Sequence, residues 1–312
     1  MERLDLRLVE YFIAVGEELH FGRAAQRLHI AQPSLSQQIR RLEHQLGVTL
    51  LDRDSRNVRL TGAGEALLRE GRKTLSQARR AVQATRAAAG RLTVGFYGSA
   101  ATVLLPDILC AFSERLRSVD VSVRELLLGS IDDILDGHVA VAFTRLLPGQ
   151  TELEVEVLAR ERRLVALALA HPLATRRSLA FADLADESFI VNPAVPASGA
   201  PARWLAEQRR HGLPGRIAAQ SASIQEILTL VAAGRGVCLV PAAVAAHYPR
   251  GDVAYVPVTD ADPAVISLAW RPGPLAPSVE AFIDTARQVA AAKAGTSADP
   301  EGGRDGSGLL RV

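Results

Sequence analysis

Cysteine is nearly absent. Cys110 and Cys238 are the only two in 312 residues, too few for a disulfide framework or a cysteine-rich metal centre. They are far apart in sequence and each has apolar neighbours, which predicts two buried inert thiols rather than a redox pair. Aromatic residues amount to 4%, which disfavours a large stacked aromatic ligand. Long apolar runs are missing as well. The most apolar stretch, VALALA at 165–170, is strand-sized, well short of the ~20 residues that cross a bilayer. Met1 is followed by charged residues and not by an apolar signal core, so a cytoplasmic protein without membrane contact is expected. No Ser-His-Asp order, Walker loop or zinc spacing is discernible, and no catalytic residue, metal or cofactor is expected.

What remains is the composition of a water-soluble globular chain, 48% hydrophobic and 22% charged, long enough for two or three compact units that each bury a core. The formal charge of +2 hides a split. Residues 1–89 carry 15 Lys and Arg against 10 Asp and Glu, a net of +5, whereas the remaining 223 carry 21 against 24, a net of −3. A basic front joined to a mildly acidic remainder suits a nucleic-acid-facing part attached to a part with other business.

Apolar residues at Leu4, Leu8, Phe12, Val15 and Leu19 predict a helix over about 4–19. HFGRAAQRLHI supplies a short second helix with the small pair Ala24-Ala25 where helices can cross closely. After a tight connection, Pro33 fits the first turn of a third helix and Gly47 its C-cap. VTLLDRDSRNVRLT alternates Val and Leu with charges around a Ser-Arg-Asn tip, the pattern of a two-stranded wing. From Gly62 to Ala89 the chain is rich in Ala, Leu, Glu and Arg without proline, predicting one helix of ~42 Å. Leu68, Leu75 and Val82 are spaced by seven, each followed three residues later by Gly71, Ala78 or Thr85; the seam suits either a second copy of the helix, the preferred reading, or packing within the chain.

A different rhythm begins at Gly90. Strands are expected at 91–97, 119–126, 138–144, 153–158, 163–170, 188–193, 216–220, 237–241, 253–258 and 265–270. Between them fall helices over 102–117, 131–137, about 199–211 and 223–234, with a final one from Pro277 to Ala294. Alternating strands and helices imply parallel pairing in α/β sheets. The Gly-, Ser- and acid-rich tail 295–312 is expected to be disordered.

The third helix, QPSLSQQIRRLEHQLG, is the most informative stretch. At about 100 degrees per residue, Leu35, Ile39, Leu42 and Leu46 form one narrow stripe, and Gln37, Arg40, Arg41 and His44 fall opposite. Gln32, Ser34 and Ser36 crowd the first turn, where free N–H groups favour a phosphate. An ordinary solvated face would satisfy this pattern. So would a recognition helix, because Gln and Arg make paired hydrogen bonds to purine edges in a major groove.

Context favours the second reading. FxxAAxxLxxAQPSLSQQIxxLExxLGxxLLxR, from Phe21 to Arg53, resembles the amino-terminal signature of the LysR-type transcriptional regulators, and TGAG at 61–64 is similar to the start of that family's linker helix. Leu51 stands where phenylalanine is commoner. The resemblance implies an α+β multidomain chain: a winged helix-turn-helix (1–61), a dimerising linker helix (62–89), and a two-lobed α/β effector domain (90–294) like type 2 periplasmic solute-binding proteins. One lobe would comprise 90–160 and 264–294 and the other 161–263, with crossings near Glu161 and Pro263. Gln32, Pro33, Ser34, Ser36 and Gln37 are then expected to face bases or nearby backbone, and Arg53 and Arg56 to lie in the wing near the minor groove. The wheel assigns Arg40 and Arg41 to phosphates. The partners expected are double-stranded DNA, a small-molecule effector and further copies of the chain in a homodimer or homotetramer.

Four turns are expected to face the effector: Ser99 and Ala100 where GFYGSAAT leaves a strand, Ser130 after Gly129, Asn192-Pro193-Ala194, and Ser221 with Ser223. Each serine is equally well explained as a helix N-cap; Ser99 is the first choice for a ligand contact, and its turn suits a carboxylate or other anion. His171 in HPLA reads as a surface turn residue, since no second ligand stands at metal spacing. The second lobe lacks the paired cysteines of the family's peroxide-sensing branch. The alternatives are a metabolite-processing enzyme or a solute-binding module with an appended DNA-binding domain.

Overall fold

The computed structural model describes residues 4–53, 58–126, 131–149, 151–192 and 216–296. The chain divides into two compact units, Met1–Thr85 with Asp136–His138, and Arg86–Leu135 with Val139–Val312.

In the first unit, α1 (Leu6–Glu18) starts at Asp5, whose carboxylate accepts the Arg7 N–H at 2.9 Å, and ends at Leu19 in the left-handed region (φ 46°). α2 (Phe21–Arg27) is capped by His20, whose Nδ1 accepts from the Gly22 and Arg23 N–H groups. α3 (Gln32–Leu46) opens with Pro33 in its first turn and closes on Gly47 at φ 67°. Leu35, Ile39 and Leu42 are fully buried against Phe12, Val15, Ala24 and Ala25; each is worth about 2 kcal/mol of removed apolar surface. β1 (Leu51–Arg53) and β2 (Val58–Leu60) pair antiparallel with Leu51 opposite Leu60. α4 (Gly62–Ala88) follows directly. Thr61 Oγ1 accepts the Gly64 N–H at 3.0 Å and donates to Thr49 O at 2.7 Å, so one hydroxyl both starts α4 and ties it to the segment that leads into β1. The amino-terminal part of the expected seam is occupied from within the chain. Leu68 packs over Gly16 and Gly71 over Val9, both on α1, while Val82 and Thr85 stay exposed.

Glu17 joins α1, α2 and α4. It accepts from Arg72 at 2.6 and 3.1 Å and from Arg27 at 2.7 Å. Burial disfavours its charge, but the hydrogen bonds from Arg72 and Arg27 and their charges outweigh that and hold the carboxyl below its ordinary value of 4.5. A depressed carboxylate contributes stability that is fully present above pH 4.5 and lost as pH falls through the lower native value. In melting curves taken from neutral pH downward, Glu17→Gln is therefore expected to be less stable than wild type near neutrality and to converge with it in acid. A constant difference at every pH would show that the ion pairs contribute nothing.

The second unit runs β3 (Arg91–Tyr97), α5 (Leu105–Arg115), β4 (Asp120–Leu126), α6 (Asp132–Leu135), β5 (Val141–Thr144), β6 (Glu154–Glu161) and β7 (Arg163–Ala168). It continues with β8 (Ser188–Val191), β9 (Arg216–Gln220), α7 (Ile224–Ala232), β10 (Cys238–Pro241), α8 (Ala242–His247), β11 (Val253–Pro257), β12 (Ala264–Trp270) and α9 (Pro277–Thr296). One sheet has the order β4-β3-β5-β12-β6; a second has β10-β7-β11, and the β8-β9 pair joins it through hydrogen bonds between Val237 and both Ser188 and Ile190. α5 and α9 pack on the first sheet, with Phe282 edge-on to Phe112 and Phe143. α7 covers the second, through Ile227, Leu228 and Val231.

Several expectations are corrected. Pairing is parallel for β3-β4, β3-β5 and β8-β9, but antiparallel wherever β7 or β12 takes part. Only Arg162 separates β6 from β7, so the chain steps straight from one sheet into the other, and β12, returning from the second sheet, enters between β5 and β6 antiparallel to both. Cys110 is exposed on α5, whereas Cys238 is buried on β10, where burial pushes its thiol up to about 12. α8 was not anticipated. The helix expected over 199–211 lies outside the described residues.

Candidate nucleic-acid interface and lobe junction

On α3 the buried stripe fixes what faces outward. Gln32, Pro33, Ser34, Gln37, Arg40, Arg41 and His44 are exposed and Ser36 is half-buried. Gln32, Pro33, Ser36, Gln37 and Arg40 line one open concavity of about 520 Å³. Such a face presents amide and guanidinium groups able to make paired hydrogen bonds, with Arg40 and Arg41 free to meet phosphates. Glu43, the only acid between Gln32 and Leu46, does not dilute it. Its Oε1 accepts the Leu50 and Leu51 N–H groups at 2.9 and 3.1 Å, turning the carboxylate toward the wing. The Arg53 backbone lies in β1 opposite Val58; Arg56 falls outside the described residues.

In the second unit Ser99 is 6% exposed at the end of β3, where its hydroxyl accepts from Arg145 Nη2 at 3.0 Å and its carbonyl accepts from Thr102 Oγ1. Ala100 is wholly buried in the core of the first sheet. Arg145, just past β5, also donates Nη1 to Glu161 Oε1 at 2.6 Å and to Val265 O at 3.1 Å. Glu161 Oε2 in turn accepts the Ala243 N–H at 2.7 Å, at the start of α8. Burial pulls the Arg145 guanidinium down from its usual range, and Glu161 opposes that. Arg163 is drawn to about 10 by burial and by Arg145, while its Nε donates to Asp262 O. This cluster sits where the chain passes between sheets. No sequence spacing announced it, because its members come from elements far apart in the chain.

The other expected turns are only partly brought together. Ser223 N-caps α7, and the buried Ser221 hydroxyl donates to Glu226 Oε2 at 2.6 Å while accepting the Ser223 N–H at 3.1 Å. Both serines are thus engaged in starting a helix. Asn192 is half-buried just after β8; Ser130, Pro193 and Ala194 lie outside the described residues. His171 caps a short turn through Nδ1 and approaches Glu187 with Nε2 at 3.4 Å. Among the described residues no three His, Cys, Asp or Glu side chains converge on a possible metal position, and no helix is long and apolar enough to cross a membrane.

Comparison with known proteins decides the family. Residues 6–65 match the bacterial regulatory helix-turn-helix protein, lysR family, and residues 85–291 match the LysR substrate binding domain. The chain belongs to the LysR family of transcriptional regulators. Among its LysR relatives, the transcriptional regulator AlsR of Bacillus subtilis is 36% identical over 245 residues, covering 76% of this chain and 80% of its own. The regulator TdfR of Cupriavidus pinatubonensis is 34% identical over 291 residues, 91% of this chain and 98% of its own. The crystal structure of full-length CbnR complexed with its target DNA aligns with a TM-score of 0.60 at 29% identity, over 92% of this chain and 100% of that one. This LysR regulator therefore has a helix-turn-helix DNA-binding part followed by an α/β effector-binding part.

Proposed function

We propose that this regulator inserts α3 into a major groove, with Gln32, Pro33, Ser34, Ser36 and Gln37 at bases or adjacent backbone and Arg40 and Arg41 on phosphates. Arg53 and Arg56 then follow the flanking minor groove, where a narrow A·T-rich tract attracts basic side chains. The observation that carries this reading is the exposed, acid-free amide and guanidinium face opposite a fully buried apolar stripe. The relative CbnR, solved with its target DNA, supports it.

The division is a helix-turn-helix over 1–61, a linker helix over 62–89, an effector domain over 90–294 and a tail beyond. A small anionic effector lies between the lobes at the turns holding Ser99, Ala100, Ser130, Asn192, Pro193, Ala194, Ser221 and Ser223. The regulator acts by binding and not by turnover, in the cytoplasm, as a homodimer or homotetramer that sets half-site spacing. Gln37→Ala is expected to relax base preference by ~1–3 kcal/mol, whereas Arg41→Ala weakens binding to all duplexes and lowers the salt slope by about one. Titrations against specific and random DNA at several salt concentrations check this; equal losses on both for both variants would refute the division of labour.

A further inference from the structure

The connection from α3 into the wing is held from two sides. From α3, Glu43 Oε1 accepts the N–H groups of Leu50 and Leu51. From the start of α4, the Thr61 N–H donates to Leu50 O at 3.0 Å and Thr61 Oγ1 donates to Thr49 O at 2.7 Å. The Leu50 and Leu51 side chains are 1% and 2% exposed, so their burial already anchors the segment. Apolar burial is non-directional. Two charge-assisted hydrogen bonds from successive N–H groups to one carboxylate oxygen are directional, and they define the angle at which β1 leaves α3.

We propose that Glu43 is a positioning residue for DNA recognition: it fixes the angle between the α3 face and the wing, so that a major-groove half-site and its minor-groove flank are read in register. This rests on the reading of α3 and the wing as the DNA-facing elements. Without the carboxylate, α3 keeps its own buried stripe and its base contacts, while the wing loses its fixed direction and its part in recognition.

The probe is a duplex that the wild-type full-length chain selects from a random-sequence library, prepared also with one core base pair changed and with its flank switched between A·T and G·C, all at one salt concentration. Glu43→Ala is expected to keep core discrimination while flank discrimination falls from roughly tenfold toward unity, and hydroxyl-radical protection shrinks to the core. Glu43→Gln, whose amide oxygen can accept the same two N–H groups, restores both. Wild-type flank discrimination in Glu43→Ala overturns the proposal, as does a parallel loss of core and flank discrimination, the mark of a module that no longer folds. If the wild-type chain selects no duplex at all, the DNA-facing assignment falls and this proposal with it, an outcome distinct from the other two.

Discussion

Gly64→Ala is expected to unfold the first unit under conditions where the wild-type chain is fully native. The β-carbon of an alanine there would stand 2.1 Å from Leu50 O and 3.1 Å from both the Leu50 carbonyl carbon and a Leu60 methyl. The first contact is with backbone, and that backbone is pinned, because the same Leu50 carbonyl accepts the Thr61 N–H at 3.0 Å. Relief requires α4 to move away from the wing entrance. Such a shift breaks the Thr61 cap and separates Leu68 from Gly16 and Gly71 from Val9. Overpacking of well-packed sites costs ~1–3 kcal/mol, and the lost cap adds about 1 kcal/mol. A total of roughly 2–4 kcal/mol is a large part of a small module's stability. Gly62→Ala is the control: nothing lies within 4 Å of its would-be β-carbon, so it should be neutral or slightly stabilising. Urea unfolding followed by helical circular dichroism separates the two. Should Gly64→Ala stay within about 0.5 kcal/mol of wild type, the close approach of α4 to the wing entrance is not what holds the unit together.

The same four residues show what a sequence can disclose. TGAG was recognisable as the start of a long helix by resemblance, but why threonine and the second glycine stand there is visible only once Leu50 O is beside them. The face of α3 was legible because a helical period of 3.6 is a local property and its apolar stripe has no gap. Cys110 was legible in principle: on a wheel it falls about 160 degrees from Ile108 and Phe112, so apolar neighbours in sequence did not make it buried. The antiparallel partners of β12 were not legible, since pairing depends on where the chain returns from the second sheet and not on alternation. Nor was the claim of α1 on Leu68 and Gly71, because a heptad stripe does not say which helix covers it. The lobe junction was least accessible, since Ser99, Arg145, Glu161 and Ala243 meet only in three dimensions.

That junction carries the other large effect. Glu161→Ala is expected to destabilise the second unit by about 3–5 kcal/mol, the usual consequence of leaving a buried partner charge without compensation. The Arg145 side chain is 24% exposed and that of Glu161 12%, so water can replace little of what is removed. Among the described residues the guanidinium would keep Ser99 Oγ and Val265 O, and the Ala243 N–H would lose its Glu161 acceptor. Glu161→Gln keeps a neutral acceptor and should cost less than Glu161→Ala. Replacing both partners, as Arg145→Met with Glu161→Leu, removes the buried charge altogether and should cost less than the sum of the two single changes; a double-mutant cycle measures that difference. The helix-turn-helix holds no tryptophan, so the fluorescence of Trp270 on β12 in denaturant titrations follows the second unit. A cost below about 1 kcal/mol for Glu161→Ala would place this pair with exposed ion pairs of little worth. A cost of the expected size shows that the ion pair tying β5 and β6 to the start of α8 is a principal support of the passage between the two sheets.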